Sequence, residues 1–112
     1  MRWLLVAVLL AGCTMTGGVA QITLSNDDVA PASGEGTVSC GDQVTLEVAI
    51  GRIDAGSVRL RVLDGDGATA FDETYQSGDA GSLDHGLFGA AGTWRVVGSG
   101  TFAGRVTAQL SC

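Results

Sequence analysis

An acidic pattern in the middle of this 112-residue sequence is the first candidate for chemistry. Asp64-Gly65-Asp66-Gly67 places two carboxylates two positions apart, as at the start of a calcium-binding EF-hand loop. The pattern then stops, because the fifth and twelfth loop positions are Ala68 and Tyr75, which cannot supply the required carboxylates. The segment instead indicates a hairpin turn that pairs strand 57–63 with strand 69–75.

The register of this hairpin depends on which two residues form its loop. A Gly65-Asp66 loop places Arg59 opposite Asp72, whereas an Asp66-Gly67 loop places Arg61 there. Either arrangement gives an exposed ion pair, and both registers remain open.

The only histidine, His85, stands beside Asp84 between glycines. A hydrolase would need a serine with this pair, but the sequence contains no G-x-S-x-G motif, and nothing ties Ser82 or Ser99 to His85. We therefore expect His85 to lie in a solvated loop. Without a cluster of acid, base and nucleophile, the sequence predicts a protein that is not an enzyme.

A ligand-binding module for carbohydrate or calcium is an alternative, and it would use predicted loops at 26–36 and 80–92. Asp27, Asp28 and Glu35 crowd the first loop and could hold a cation, although a plain solvated loop is the favoured interpretation. The pattern predicts no metal site and no cofactor.

Large apolar side chains in the second half of the chain are also candidates for binding. Trp94 and Tyr75 could stack on a sugar, but the alternation around Trp94 places its side chain in the core. Leu87 and Phe88 are adjacent, so alternation cannot bury both. One of them is expected either on an exposed loop that meets a partner or ligand, or in a loop that plugs the core.

The first 13 residues carry an export pattern. Arg2 precedes eight apolar residues, 3–10, whose helix would rise only about 12 Å against a hydrocarbon core of about 30 Å. This length predicts a helical signal peptide rather than a membrane span. The run ends in Leu10-Ala11-Gly12-Cys13, which resembles the lipobox of bacterial lipoproteins.

The resemblance implies that residues 1–12 are a cleaved signal peptide and that Cys13 carries the lipid, including palmitate-like acyl chains. Residues 13–18 then form the lipidated cysteine and a flexible tether, and 19–112 form the folded domain. Thr14 stands where an inner-membrane retention signal would have Asp, so in a Gram-negative cell the resemblance implies the outer membrane.

Ordinary cleavage before Gln21 is the alternative. Gly18 and Ala20 place small residues where a general signal peptidase requires them, and such a protein would be secreted and soluble.

Composition limits the partners and suggests a covalent link. Twelve acidic residues against six basic ones give a net charge of −6, which disfavours binding to nucleic acid. If Cys13 carries lipid, Cys40 and Cys112 remain as a pair in an oxidising compartment, and we expect a disulfide between them.

After residue 21 the dominant hydrophobic period is two, which is typical of strands with one buried and one exposed face. Turn-forming residues separate the runs, so the sequence predicts an all-β chain, a single small antiparallel β-sandwich of about seven or eight strands. The main apolar runs are 22–24, 44–50, 58–62, 94–96 and 102–110.

The segments 92–97 and 102–106 resemble the closing strands of secreted bacterial β-sandwich modules, such as pre-peptidase C-terminal domains and domains of fibronectin or immunoglobulin type. The two resemblances together imply a lipid-anchored protein of the cell envelope. Its domain is expected to be a non-catalytic structural or interaction module, with the membrane and an envelope protein as partners.

Overall fold

The computed structural model describes residues 18–112 and contains five β-strands. The predicted signal peptide, Cys13 and the rest of the tether before Gly18 lie outside the described residues. The described part of the chain has no helix with the length and apolar character to cross a membrane. The strands are β1 (Val19–Cys40), β2 (Gln43–Leu63), β3 (Thr69–Gln76), β4 (Gly81–Phe88) and β5 (Gly92–Ser111).

All five strands pair antiparallel in one sheet, in agreement with the predicted all-β class. β5 lies between β1 and β2 and pairs with both. The other side of β2 is shared by two short strands, because β4 pairs with residues 43–50 and β3 pairs with residues 57–63. β1 therefore forms one edge of the sheet, and β3 and β4 form the other.

The number of strands differs from the seven or eight that the sequence predicts. The runs 44–50 and 58–62 both lie on β2, and the runs 94–96 and 102–110 both lie on β5. Gly51 and the glycines near residue 100 do not end these strands, since pairing with the neighbouring strand continues past them. The register shifts at Ile50/Arg52 and Ile53/Ala55 instead bend β2, as β-bulges do.

The sheet folds back on itself. Cys40 pairs with Gly92 at the beginning of β5, and Cys112 follows the end of β5, yet the Cα atoms of the two cysteines are only 6.0 Å apart. A straight strand of 20 residues would span about 65 Å. We call the two parts the first half-sheet and the second half-sheet. The first contains 19–26, 43–50, 81–88 and 104–111, and the second contains 30–40, 57–63, 69–76 and 92–102.

The core lies between the two half-sheets. A Cβ atom at Gly98, in the second half-sheet, would lie 2.9 Å from Ile22 Cδ1 and 3.0 Å from Leu24 Cδ1 of the first. Glycine at this position therefore allows the facing layers to pack closely. The largest fully buried side chains come from β2 and β5, and they are Trp94, Phe102, Leu46, Leu60, Leu110, Val48, Val58, Val62, Val96 and Val106.

Candidate functional site

Asp64, the first residue of the acidic pattern, lies in the turn between β2 and β3. One carboxylate oxygen, Oδ1, accepts hydrogen bonds from the backbone N–H groups of Asp66 at 2.9 Å and Ala68 at 3.0 Å. The other, Oδ2, accepts a hydrogen bond from the backbone N–H of Ala90 at 2.9 Å. The Asp64 side chain therefore joins the β2–β3 turn to the β4–β5 loop.

These hydrogen bonds determine the ionisation of Asp64. The N–H of Ala90 lowers the pKa of the carboxyl most strongly, and the other backbone donors of the turn lower it further, although burial opposes them. Because backbone donors occupy both oxygens, the carboxylate acts as a structural acceptor. The described residues contain no group of three or more His, Cys, Asp or Glu side chains that could hold a metal ion.

The hairpin between β2 and β3 forms as predicted, and residues 57–63 pair with residues 69–76. Arg61 is the residue opposite Asp72, which is the register of an Asp66-Gly67 loop. The ion pair is nevertheless diagonal, since Arg59 donates two hydrogen bonds to the Asp72 carboxylate, at 2.8 and 2.6 Å. The hydrogen bond with Arg59 lowers the pKa of Asp72.

The prediction that His85 lies in a solvated loop is wrong. His85 is in β4, opposite Leu46 on the face that points to the core, and it is half-buried. Its ring packs against that of Phe71 in β3, with 4.8 Å between the ring centroids and an interplanar angle of 50°. The loop prediction depended on the neighbouring glycines, but Gly86 pairs with Thr45 of β2 and does not interrupt β4.

The predicted loop at 26–36 is also a strand. These residues belong to β1, whose pairing with β5 is interrupted only by a register shift between Asn26 and Ala30. Asp27 and Asp28 lie within this irregularity, whereas Glu35 lies farther along β1 and its Oε2 is 3.3 Å from Arg95 Nε. Most of the predicted loop at 80–92 is β4, and only the ends of that range are irregular.

Leu87 and Phe88 are the last two residues of β4 rather than part of a loop. Leu87 lies opposite Val44 and is buried in the core, whereas Phe88 lies opposite Gln43 and is 72 % exposed. Since Phe88 projects from the outer face of the first half-sheet, it is the side chain of this pair that a partner could contact.

Neither Trp94 nor Tyr75 offers an exposed platform for a sugar. Trp94 is fully buried and its Nε1 donates a hydrogen bond to the backbone oxygen of Gly41 at 2.9 Å. Tyr75 is 8 % exposed. The burial of both rings weighs against the carbohydrate-binding alternative, because sugar stacking needs an accessible ring face.

The expected disulfide is present between Cys40 and Cys112. Cys40 ends β1 in the second half-sheet, and Cys112 follows β5 in the first, so the link joins the two layers. Cys40 is buried, whereas Cys112 is exposed because it lies beyond the last paired residue of β5.

A cleft that the sequence pattern did not predict lies where β3 and β4 face each other at the edge of the core. Its volume is about 260 Å³. One residue in the sequence could have indicated this cleft. Glu73 is a charged residue, yet its position in the alternation of β3 places it on the same inward face as Phe71 and Tyr75. The lining residues are Ile50, Glu73, Thr74, Tyr75, Asp79, Ala80 and Leu83.

No protein-family model matches the sequence, and no curated protein sequence matches it. The fold is similar to the solved pre-peptidase C-terminal domain of a collagenase from Bacillus anthracis. The identity is 11 % and the TM-score is 0.51, over 85 % of this chain and 87 % of that one. This likeness shows the fold alone.

Two other solved structures are similar at lower TM-scores. One is the carbohydrate-binding module CBM6cm-2 of Cellvibrio mixtus lichenase 5A, with 10 % identity and a TM-score of 0.45, over 80 % of this chain and 74 % of that one. The other is the SPBc2 prophage-derived protein YomS, with 15 % identity and a TM-score of 0.47, over 88 % of this chain and 95 % of that one.

Proposed function

We propose that the protein is an exported, lipid-anchored lipoprotein of the bacterial cell envelope, whose β-sandwich domain is a non-catalytic interaction module. The observation that carries the proposal is the Leu10-Ala11-Gly12-Cys13 box at the end of the apolar run. Lipid on Cys13 anchors the protein, and Thr14 favours the outer membrane where the cell has one. The partner of the domain is then another component of the envelope.

The position at which the folded domain begins supports the proposal that this domain lies close to the membrane. The backbone N–H of Cys112 donates a hydrogen bond to the oxygen of Gly18 at 3.4 Å, and Val19 pairs with Ser111. The tether therefore leaves from one end of the first half-sheet. Five residues beyond Cys13 span at most about 17 Å when extended, so a lipid on Cys13 holds this end close to the bilayer surface.

Phe88 supports an interaction surface at the same end of the domain. Val19 and Phe88 are both exposed, at 58 % and 72 %. Val19, Ser111 and Thr45 form one row across the sheet, and Phe88 lies opposite Gln43, two residues farther along β2. The exposed aromatic ring therefore lies at the same end of the first half-sheet as the start of the tether, on the opposite edge strand, where a partner embedded in or bound to the membrane can reach it.

The anchor is tested by intact mass and membrane partition of the protein made in a bacterial host, with Cys13→Ser as the matched variant. We expect a chain that begins at Cys13, carries a lipid-sized mass increment and partitions into the membrane fraction. Cys13→Ser should lose both the increment and the partition. A soluble wild-type chain beginning at Gln21 would overturn the anchor and leave a secreted domain.

The interaction surface is tested by a photo-crosslinking amino acid placed at Phe88 in living cells, with the exposed Thr37 of the second half-sheet as the control position. We expect a discrete crosslinked product from position 88 and none from position 37. Equal crosslinking from both positions, or none from position 88, would remove Phe88 from the proposal.

A further inference from the structure

Tyr75, one of the residues that line the cleft between β3 and β4, carries a buried polar group without a partner. Tyr75 is 8 % exposed, and its hydroxyl is buried without a hydrogen bond among the described residues. Burying a hydroxyl without a partner is costly, so a ligand in the cleft that reaches this oxygen would gain by supplying the missing hydrogen bond.

The charge around this hydroxyl is negative. Glu73 and Asp79 line the same cleft, and no arginine lines it. Neither carboxylate forms an ion pair with another described residue. Burial raises the pKa of Tyr75, and the charges of Glu73 and Asp79 raise it further, so the phenol remains neutral at physiological pH.

Apart from Thr74, the remaining residues of the cleft carry aliphatic side chains. Ile50, Ala80 and Leu83 contribute aliphatic surface, and Leu83 is 42 % exposed although it lies on the face of β4 that points to the core. This exposure arises because β3 and β4 belong to different half-sheets and do not pair with each other. A ligand with a methylene stem can therefore cover this surface.

We propose that the cleft binds an alkylammonium group, with its methylene stem on Ile50 and Leu83 and its charge between Glu73 and Asp79. An ammonium has three donors and no acceptor, so it can bond to the Tyr75 oxygen and to both carboxylates. Such a group ends a lysine side chain of a partner protein and also ends a free polyamine. The inference goes beyond the proposed function, since it depends on neither the lipid on Cys13 nor the exposed Phe88.

Tyr75 is the only tyrosine in the chain, so 3-fluorotyrosine labelling gives a single ¹⁹F signal from the cleft. The purified protein is titrated with N-acetyl-lysine methylamide, with cadaverine and with the neutral N-acetyl-norleucine methylamide. We expect a saturable shift with the two cationic probes and none with norleucine. Tighter binding of cadaverine indicates a free polyamine, whereas tighter binding of the lysine probe indicates a protein side chain.

Three variants and one control test which residues bind the cation. Glu73→Gln and Asp79→Asn should each weaken binding of the tighter probe by about two- to fivefold, as expected for an ion pair near the surface. Tyr75→Phe, followed by the amide signals of Ala80 and Leu83, should weaken binding by about three- to tenfold through loss of one hydrogen bond. Glu47→Gln removes an equal charge from the exposed outer face of β2 and should leave binding unchanged.

Two kinds of result would overturn the inference. The cleft has no such function if neither cationic probe moves the ¹⁹F signal, or if the norleucine probe moves it equally. Binding to the Glu73→Gln and Asp79→Asn variants as tight as to Glu47→Gln would place the cation elsewhere. The Glu73→Gln and Asp79→Asn variants change exposed carboxylates. They therefore still test the inference if Tyr75→Phe fails to fold.

Discussion

Asp64 shows how one side chain can hold two turns together. Its carboxylate accepts three backbone hydrogen bonds, two within the β2–β3 turn and one from Ala90 in the β4–β5 loop. A second bond, from the backbone N–H of Gly65 to the oxygen of Ala90 at 2.8 Å, joins the same two segments. A Cβ atom at Gly65 would overlap the oxygen of Ala91, so glycine is required for this close approach.

We expect Asp64→Asn to lower the melting temperature at pH 7 by several degrees, because an amide oxygen cannot replace both carboxylate oxygens as acceptors. The folded pKa of Asp64 is lowered, so its stabilisation is complete above the ordinary carboxyl pKa of about 3.9 and is lost as the pH falls through the folded value. The measurement is the free energy of unfolding between pH 7 and pH 2.

The difference between wild type and Asp64→Asn should therefore shrink below about pH 4. Asp66→Asn changes an exposed carboxylate in the same turn and is the control, with no expected loss at pH 7. A pH-independent difference between wild type and Asp64→Asn would contradict the assigned role of the charge.

The long strands of this fold depend on bends. β1, β2 and β5 each contribute to both half-sheets, and the bend of β2 lies between Ile50 and Gly56. Gly56 has a φ of +84°, and a Cβ atom there would overlap the Thr101 oxygen and lie 2.7 Å from the Phe102 Cα. Glycine is therefore needed both for the backbone angle and for the close approach of β5.

Gly56→Ala is expected to lower the free energy of unfolding by about 1–3 kcal/mol or more, since it combines an unfavourable φ with a backbone overlap. Gly86→Ala is the matched control in β4, where a Cβ atom would meet no atom within 4 Å. The control should leave stability unchanged or raise it by about 0.5 kcal/mol. Equal stability of the two variants in urea unfolding would show that the bend tolerates a side chain.

At the scale of the whole molecule, two features hold the two half-sheets together. The apolar rows of the two half-sheets bury one core, and the Cys40–Cys112 disulfide joins the layers across a sequence separation of 72 residues. A chain of this size buries a smaller fraction of its surface than a larger domain, so the covalent link contributes a substantial part of the total stability.

The double variant Cys40→Ser/Cys112→Ser should lose about 4 kcal/mol of unfolding free energy, because the unfolded chain regains the entropy of a long open loop. Reduction of the wild-type protein should produce the same loss in a denaturant titration. The reductant should have no effect on the double variant, which serves as its control. A loss below about 1 kcal/mol would mean that the packing of the two half-sheets closes the fold without the disulfide.

Alternation in the sequence was sufficient to predict the all-β class and the burial of Trp94, because a period of two is a local property of each strand. The turn residues 64–67 predicted the β2–β3 pairing. It also showed that Leu87 and Phe88 cannot both be buried, but not which of them is exposed. The pairing partner of Cys40 followed from the lipobox resemblance and the number of cysteines.

The tertiary structure decided whether each glycine ended a strand or bent it, because that depends on the neighbouring strand rather than on the glycine itself. It therefore determined the number of strands, the inward position of His85 and the exposure of Phe88. The cleft at Tyr75 also required the tertiary structure, since its walls come from β3 and β4. These two strands meet only because the sheet folds back on itself.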